Sequence, residues 1–455
     1  MKVFKFGGAS VNSADAVRNM AQIVQKHLES EPLVVVVSAM GKTTNLLEKL
    51  VPGSADISSA KQLRQQLEDY HRSIASALIP DNKEVQNKIS GLLTSLDHLC
   101  ATLPDDVEHY NYNYDQVVSH GELLSTTIIA EYLNALGINT LWADARQFIK
   151  TDTHYREGRV DWTATQEAIR NYKFGMRNSC QVVLTQGFIG GTKSCSPLPD
   201  SEGGSACDRS GAKLGELSAP KGMTEECVAT TTLGREGSDY TAAILAYCLD
   251  AESVTIWKDV PGFLNADPKF FSDTVKINQI PYNEAIELAY YGASVIHPKT
   301  VKPIQNKGIP LYIRSFITPD SEGSSIGNYR TISPETPLYI FANNQILLSI
   351  LPRDYSFIAE DNLQVIFGIL NELGIRVNLM QNSALSFSIC INNNPQLVKP
   401  LIERLKDMFL VRYNENLQLI TIRYYTQAVI DSIVAGRPIL LEQRSRSTEQ
   451  IIVPA

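Results

Sequence analysis

Short apolar runs alternate with amphipathic helical repeats along the chain, and this alternation constrains the fold more than any other feature. The stretch KVFKF at residues 2–6 predicts a strand, apolar residues at helical spacing from Val17 to Leu28 predict a helix, and LVVVV at residues 33–37 predicts a fully buried strand. The same alternation continues to SVTIWKD at residues 253–259. We therefore predict an α/β fold with a mainly parallel sheet sandwiched by helices.

A second pattern begins after residues 318–337, which are crowded with Pro, Gly, Ser and Asp and predict a domain boundary. Beyond them the chain predicts the order strand, helix, strand, strand, helix, strand, which is a ferredoxin-like βαββαβ unit. One more helix and a hairpin follow, too short to complete a second such unit. We predict a first region at residues 1–325 and a second at residues 335–455, with its second unit truncated.

Composition restricts the ligands and the location. The 41 Lys and Arg against 49 Asp and Glu give a net charge of −8 without a long basic run, which argues against nucleic acids and membrane surfaces and favours small molecules. No apolar run approaches a membrane span, and the chain opens on a predicted strand, so we expect a cytoplasmic protein. The seven cysteines lack CxxC pairs, which predicts reduced thiols.

Residues 191–228 interrupt the regular pattern. They are small, polar and rich in Pro and Gly, which predicts an atypical, mobile insertion. The alternative is a zinc site formed by Cys195, Cys207 and Cys227, but spacings of twelve and twenty residues do not fit a zinc ribbon. We assign no metal-ligating residue.

Four loops that follow predicted strands indicate phosphoryl transfer. KFGGAS at residues 5–10 places an ammonium group before glycines whose N–H groups can approach an anion closely. SAMGKTTN at residues 38–45 opens a helix, whose N-terminus attracts anions. TTTLGREGSDYTAA at residues 230–243 adds an arginine suited to a carboxylate, and IWKDVPGFLNADP at residues 256–268 adds a Lys–Asp pair. Each loop alone also has an ordinary explanation as a tight turn or a helix cap.

On these loops the chain resembles the aspartokinases of the amino-acid kinase superfamily. The matching stretches occur in the family's order: KFGGAS, SHGELLST (119–126), TQGFIG (185–190), TTLGREGSDYTAA, IWKDVPG and YGASVIHP (291–298). The resemblance runs from Lys5 to about residue 317, apart from the insertion, and continues more loosely into a regulatory region of the ACT type. It implies the amino-acid kinase fold and transfer of the ATP γ-phosphoryl group to the side-chain carboxylate of L-aspartate, at the start of lysine, threonine and methionine biosynthesis.

The resemblance also implies a role for each matching residue. Lys5 would neutralise charge on the transferring phosphoryl group, and Asp239 would organise that lysine and the magnesium nucleotide. Arg235 would hold the α-carboxylate of the substrate, and Glu122 its ammonium group. The remaining substrate-binding residues would be Ser38, Thr44, Phe188 and Ser238. ATP and Mg²⁺ are the implied cofactors, and the implied nucleotide contacts are Lys5, Gly7, Gly8, Lys258, Asp259, Leu264, Lys269 and Ser294.

The implied reaction requires no general base. A carboxylate with an ordinary pKa near 4 is ionised at neutral pH, so the protein has to position two anions and offset their repulsion. We therefore predict that His120, within SHGE, is structural.

The sequence departs from the family pattern at several positions. Ala9 replaces a usual Thr, Glu236 replaces a common Gly, and Ser294 replaces a frequent nucleotide-facing lysine. The resemblance implies an end-product amino acid bound at the ACT region of a homodimer or higher oligomer. Asn378 and Ala384 stand there in place of acidic residues, which predicts weak or altered lysine sensitivity.

Two alternatives remain at this stage. One is a kinase for another acidic amino acid, such as glutamate or acetylglutamate, against which Glu122 and the long carboxyl-terminal region argue. The other is a catalytically silent amino-acid sensor, against which the intact Lys5, Arg235 and Asp239 argue. Nothing after the ACT-like region could bind a nicotinamide cofactor, so we expect a monofunctional enzyme.

Overall fold

The computed structural model describes residues 1–29, 31–53, 59–172, 174, 180–192, 229–271, 273–293, 295–354 and 356–455. Most of the predicted insertion, its three cysteines and Ser294 lie outside the described residues. The chain divides into two compact units. The first comprises Met1–Phe263, Asn278–Ile286 and Ile296–Thr331, and the second comprises Leu264–Ile277, Glu287–Val295 and Ile332–Ala455.

Helices and strands follow one another along the described chain as the alternating pattern predicts. The α-helices are α1 (Ala14–Lys26), α2 (Thr43–Glu48), α3 (Ala60–Leu78), α4 (Lys83–Thr102), α5 (Tyr110–Val118), α6 (His120–Ala135), α7 (Trp162–Tyr172), α8 (Gly237–Cys248), α9 (Tyr282–Tyr291), α10 (Pro298–Lys307), α11 (Glu360–Glu372), α12 (Pro395–Lys406) and α13 (Gln427–Val434). None of these helices is both long enough and apolar enough to cross a membrane.

The strands of the described residues are β1 (Lys2–Phe6), β2 (Leu33–Val37), β3 (Thr140–Ala143), β4 (Val182–Gln186), β5 (Ile189–Thr192), β6 (Ala229–Thr232), β7 (Ser253–Lys258), β8 (Phe263–Leu264), β9 (Lys276–Ile277), β10 (Gln279–Pro281), β11 (Leu311–Ser315), β12 (Ser324–Gly327), β13 (Leu338–Pro352), β14 (Val377–Asn382), β15 (Phe387–Asn392), β16 (Phe409–Arg423), β17 (Leu441–Arg444) and β18 (Thr448–Pro454). They form an eight-stranded sheet, a six-stranded sheet and the two-stranded pairs β5–β6 and β8–β9.

The eight-stranded sheet belongs to the first unit and has the order β10-β12-β11-β7-β1-β2-β4-β3. Its neighbouring strands are parallel except for the antiparallel pair β11–β12. Strand β1 lies inside it, with Phe4 paired to Val35 on one side and to Thr255 on the other. Every residue of β2 is buried, as expected for a parallel strand covered on both faces. The predicted α/β sheet is thereby confirmed.

Two helices show how the sequence places the elements around this sheet. Ser13 caps the start of helix α1, because its side chain accepts a hydrogen bond from the Ala16 N–H. The helix buries the predicted face that includes Val17 and Met20. Helix α8 is different, because its residues from Gly237 to Ala246 are buried except for Tyr240. Such a helix lies within a core, so its polar first turn is also taken out of water.

The six-stranded sheet belongs to the second unit and is antiparallel, with the order β14-β15-β13-β16-β18-β17. Its first four strands, together with α11 and α12, form the predicted βαββαβ unit. Ile346, Leu348 and Ile350 alternate along β13 and pack with Ile366 of α11 and Leu401 of α12. The hairpin β17–β18 extends the sheet, and helix α13 packs against it through Ile430 and Val434. The helix and the hairpin follow in the predicted order.

Strands β13 and β16 are longer than the sequence predicts. The apolar stretch QILLSIL at residues 345–351 predicts the first strand of this region, whereas β13 starts at Leu338 and continues through irregular pairing between Ala342 and Leu347. Asn344 and Asn416 adopt left-handed conformations there, with φ of 53° and 55°. A β-bulge lets a strand continue through residues whose local pattern indicates a turn, and this explains the difference.

Candidate active site

The candidate active site lies beyond the carboxyl ends of the parallel strands of the first unit. The loops after β1, β2, β4 and β7 open into one cavity of about 540 Å³, within the usual range for small-molecule sites. Among the predicted site residues, the cavity brings together Lys5, Gly8, Ser38, Thr44, Glu122, Phe188, Arg235, Ser238, Asp239 and Lys258.

Two lysines meet one buried carboxylate in this cavity. The Lys5 Nζ lies 2.6 Å from Asp239 Oδ1, and the Lys258 Nζ lies 3.2 Å from Asp239 Oδ2. Asp239 is 1% exposed. Burial opposes its ionisation, but the two ammonium groups outweigh burial and lower the pKa of Asp239 below its ordinary value. Asp239 is therefore ionised at neutral pH and fixes both cations.

The loops after β1 and β2 approach each other so closely that only a glycine fits between them. A Cβ atom at Gly8 would lie 2.8 Å from the Ala39 carbonyl oxygen and 2.9 Å from that of Gly41. The Gly41 N–H donates to the Gly8 carbonyl at 3.0 Å. Gly8 thus leaves the backbone of KFGGAS without a covering side chain beside Lys5.

Glu122 enters the cavity from the first turn of α6. Its Oε1 accepts a hydrogen bond from the Ala39 N–H at 3.2 Å, whereas its Oε2 is buried and has no hydrogen-bond partner among the described residues. Burial raises the pKa of this carboxyl to about 8. An unsatisfied buried carboxyl that lines a cavity is suited to a cationic ligand group.

The loop between β6 and α8 places Arg235 at the cavity, where its side chain is exposed, and Glu236 beside it. Glu236 has a left-handed backbone, with φ of 54°, which explains why glycine suits this position. Its Oε2 is buried without a hydrogen-bond partner among the described residues, and burial raises the pKa of its carboxyl. Gly237 packs against Phe188, since a Cβ atom at Gly237 would lie 2.8 Å from the Phe188 ring.

Other predicted site residues do not line the cavity. Gly7 lies near it, because a Cβ atom there would be 3.4 Å from Lys5 Nζ. Asp259, directly after β7, is also outside the lining, and Leu264 and Lys269 belong to the second unit. Ser294 is outside the described residues.

His120 is buried beside the site but does not line the cavity. Its Nδ1 lies 3.1 Å from the Gln116 carbonyl oxygen. Burial lowers the pKa of His120 to about 4, so the ring is neutral at pH 7. These contacts agree with the structural role that the sequence predicts for this histidine.

The cavity lining also includes residues that were not among the predicted site residues: Ala39, Gly41, Tyr114, Arg156, Glu157, Gly234, Glu236 and Gly237. Arg156 has φ of 70°, so it is, like Phe188 and Glu236, a left-handed residue other than glycine on the cavity wall. Such backbones cluster at functional sites. The one signal in the sequence was an arginine next to a Glu-Gly turn at residues 156–158, which is too common to mark a site.

The cavity lining carries four basic and four acidic residues. The basic ones are Lys5, Arg156, Arg235 and Lys258, and the acidic ones are Glu122, Glu157, Glu236 and Asp239. No cluster of three or more metal-ligating side chains occurs within the described ranges. Fold and site together define an α/β protein with a cavity suited to charged small molecules beyond the carboxyl edge of a parallel sheet.

Comparison with known proteins makes the class specific. The amino acid kinase family matches residues 1–199 and 217–315. The lysine-sensitive aspartokinase 3 of Escherichia coli is 30% identical over 439 residues, which cover 92% of this chain and 86% of that enzyme. The chain therefore belongs to the amino acid kinase family and, within it, to the aspartokinases. The chloroplastic aspartokinase 1 of Arabidopsis thaliana is also 30% identical, over 88% of this chain, which spans 65% of the length of that relative.

Solved structures give the same result for the fold. Aspartokinase III of E. coli in complex with aspartate and ADP, in the R-state, superposes with a TM-score of 0.77 at 27% identity, over 100% of this chain and 96% of that one. The same enzyme with lysine and aspartate, in the T-state, gives 0.75 at 27% identity with the same coverage. The expected amino-acid kinase fold and the aspartokinase resemblance are both confirmed.

Proposed function

We propose that this protein is an aspartate kinase. It transfers the γ-phosphoryl group of ATP to the side-chain carboxylate of L-aspartate and gives 4-phospho-L-aspartate and ADP, the first step of lysine, threonine and methionine biosynthesis. The observation that carries the proposal is the pair of lysines on buried Asp239, in the same cavity as Glu122 and Arg235. The relatives named aspartokinase support it.

The amino-acid end of the cavity would bind aspartate through opposite charges. Arg235 would grip the α-carboxylate, and the unsatisfied Oε2 of Glu122 would accept from the ammonium group. Ser38, Thr44, Phe188 and Ser238 line the same cavity and would complete the binding site. The side-chain carboxylate would then be free to face the phosphate. Its ordinary pKa near 4 leaves it ionised at neutral pH, so no residue has to remove a proton.

The phosphate end would offset the charge of two anions. Lys5 and Lys258 would donate to the phosphoryl oxygens, and Asp239 keeps both ammonium groups in position before the nucleotide arrives. Further nucleotide contacts would come from Gly7, Gly8, Asp259, Leu264, Lys269 and Ser294. Mg²⁺ commonly combines one or two protein carboxylates with substrate phosphates, and Asp239 and Glu236, with its unsatisfied oxygen, fit that donor set. When bound, Mg²⁺ would neutralise phosphate charge.

Regulation and assembly are part of the proposal. The ferredoxin-like unit would bind an end-product amino acid, with weak or altered sensitivity to lysine because Asn378 and Ala384 carry no charge. The E. coli enzyme is described with lysine bound, which supports an effector site of this kind in the family. We further propose a homodimer or higher homo-oligomer in the cytoplasm.

The decisive experiment is an assay of ADP release that depends on aspartate, run alone and with lysine, threonine or methionine. We expect release with aspartate and none with glutamate or acetylglutamate. Absence of aspartate-dependent ADP would contradict the proposed function and favour the silent amino-acid sensor. Tight inhibition by lysine would contradict only the proposed weak sensitivity.

A further inference from the structure

Arg156 lines the candidate active site, although no motif marks it in the sequence. It shares the cavity with Arg235 and Glu122. Its φ of 70° is a conformation that residues other than glycine adopt at a cost, so it persists only where neighbouring contacts hold it.

The support comes from a buried carboxylate on α5. Asp115, which is fully buried, accepts hydrogen bonds at Oδ2 from the N–H groups of Arg156 and Thr232, each at 2.9 Å. Its Oδ1 accepts from the Thr232 hydroxyl at 2.7 Å. The loop that carries Arg156 is thereby fixed to β6, the strand that leads into the Arg235 loop.

A second contact brings the two arginine-bearing backbones side by side. Gly234 directly precedes Arg235, and a Cβ atom at Gly234 would lie 3.3 Å from the Arg156 carbonyl oxygen. The Gly158 N–H also donates to the Thr232 carbonyl at 2.8 Å. Arg156 and Arg235 therefore enter the cavity from adjacent, mutually braced loops.

The side chain of Arg156 lies against an aromatic ring in the cavity wall. Its guanidinium carbon is 4.3 Å from the centre of the Tyr114 ring, and an Nη2 atom is 3.8 Å from Glu48 Oε1. Stacking uses the face of a guanidinium, whereas its donors lie in the plane and can bind a carboxylate. Tyr114 thus orients the Arg156 guanidinium group and does not occupy its N–H donors.

We propose that Arg156 binds the α-carboxylate of the amino-acid substrate together with Arg235 and so sets the specificity for an α-amino acid. This inference rests on the proposed function. Arg235 is exposed, and a single arginine in water binds a carboxylate weakly, while Glu157 in the same cavity repels it. A second guanidinium offsets that repulsion and keeps the α-carboxylate away from the phosphate, where the side-chain carboxylate must react.

The test compares wild type with Arg156→Gly and Arg156→Lys. Glycine favours the left-handed backbone, so Arg156→Gly removes the guanidinium while relieving strain. We expect the KM for aspartate to rise about 10- to 100-fold in this variant, with kcat within about threefold and the KM for ATP unchanged. Arg156→Lys keeps the charge without the planar donors, so its KM for aspartate should lie between those of wild type and Arg156→Gly. Arg159→Ala, which removes the same charge from an exposed residue of the same loop, is the control and should match wild type.

A second readout separates substrate binding from a structural role. Calorimetry with L-aspartate and with its α-amide measures how well each protein distinguishes a carboxylate from an amide at that position. Wild type should prefer aspartate, and Arg156→Gly should lose about tenfold or more of that preference. The proposal would be overturned if Arg156→Gly bound L-aspartate and its α-amide more weakly by the same factor, or if its KM for aspartate were unchanged. Lack of aspartate-dependent ADP release in wild type would instead overturn the proposed function.

Discussion

At the scale of single residues, the position of Lys5 is the most informative feature of the site. The lysine of a P-loop follows its glycines and lies at the start of a helix. Lys5 instead precedes Gly7 and Gly8 and projects from a strand that is hydrogen-bonded on both sides, with Asp239 supplying the opposite charge from a helix more than two hundred residues away. The cation is therefore held by the sheet, and the glycines only have to leave space beside it.

Replacing Lys5 with Met should lower kcat about 10²- to 10³-fold, as expected for the loss of one preorganised donor to developing charge. Folding should survive, because Asp239 keeps its contact with Lys258. Steady-state kinetics and thermal unfolding measure the two effects separately. Lys2→Met is the matched control, since it removes a lysine of the same strand whose partner is the exposed Glu29. A Lys5→Met variant that keeps more than a tenth of kcat would rule out a direct role in transfer.

Glu122 should couple substrate binding to a proton. With its pKa raised to about 8, the carboxyl is mostly protonated in the free protein at pH 7, and an incoming ammonium group favours the ionised form. Aspartate binding at pH 7 should therefore release up to about one proton. Titration calorimetry in buffers of different ionisation enthalpy measures that number, and Glu122→Gln should reduce it to near zero. Equal proton release in both proteins would contradict this assignment.

The same shift predicts how stability depends on pH. Between about pH 4.5 and pH 8 the folded protein retains a proton on Glu122 that the unfolded chain releases, so this group lowers the free energy of unfolding as pH rises through that window. Below pH 4.5 both states are protonated and the effect vanishes. Glu122→Gln should therefore lose less stability than wild type between pH 5 and pH 8, as measured by denaturant unfolding.

At the scale of elements, the sequence predicts those strands and helices whose apolar spacing reflects burial on one face or on both faces. Strands such as β2 and helices such as α1 follow directly from their apolar spacing. The amino-terminal part of β13 does not, because Asn343 and Asn344 indicate a turn. The strand continues through them because the residues on either side, Ala342 and Gln345, pair with β16. Arg156 was missed for a related reason, since its position depends on a hydrogen bond to Asp115, forty-one residues earlier, that no local pattern contains.

The contact between the loops after β1 and β2 gives a prediction at this scale. Gly8→Ala would place a Cβ atom against two carbonyl oxygens, so the loops must separate. We expect a loss of about 1–3 kcal/mol in the free energy of unfolding, and a fall in kcat/KM for both substrates because Lys5 and Ser38 flank the displaced loops.

Gly91→Ala is the matched control for this change. Gly91 lies within α4 and a Cβ atom there meets no other atom within 4 Å, so alanine should stabilise the helix by about 0.5–1 kcal/mol. If Gly8→Ala were as stable and as active as wild type, the close approach of the two loops would not matter for the site.

At the scale of the whole molecule, the two units are interleaved along the chain. Segments Leu264–Ile277 and Glu287–Val295 precede the end of the first unit but belong to the second. Within the second unit, the Phe271 ring stacks on Tyr339 with centroids 4.9 Å apart, and the Tyr339 N–H donates to the Asn265 carbonyl at 2.7 Å. No single cut can separate the units cleanly.

Truncation after Thr331 should therefore damage residues that come before the cut. Residues 264–277 would lose Tyr339 and Phe341 as packing partners and become sensitive to proteolysis. Limited proteolysis followed by mass spectrometry should find cleavage within 264–277 in the truncated protein and protection in the full chain. Equal protection in both proteins would show that residues 264–277 are stable without the part of the second unit that follows Thr331.

The interior position of β1 also means that its two edges are covered at different times during synthesis. Strand β1 leaves the ribosome before both of its neighbours. Strand β2 can cover one of its edges within forty residues, but β7, which covers the other edge, is complete only at residue 258. At ordinary rates of translation that interval lasts on the order of tens of seconds. During that interval the growing sheet has an edge with unpaired N–H and C=O groups, and Lys5 lacks its ion-pair partner Asp239. Nascent chains that end before β7 are thus expected to need protection from edge-to-edge pairing, because the strand order leaves one edge of β1 uncovered until β7 is made.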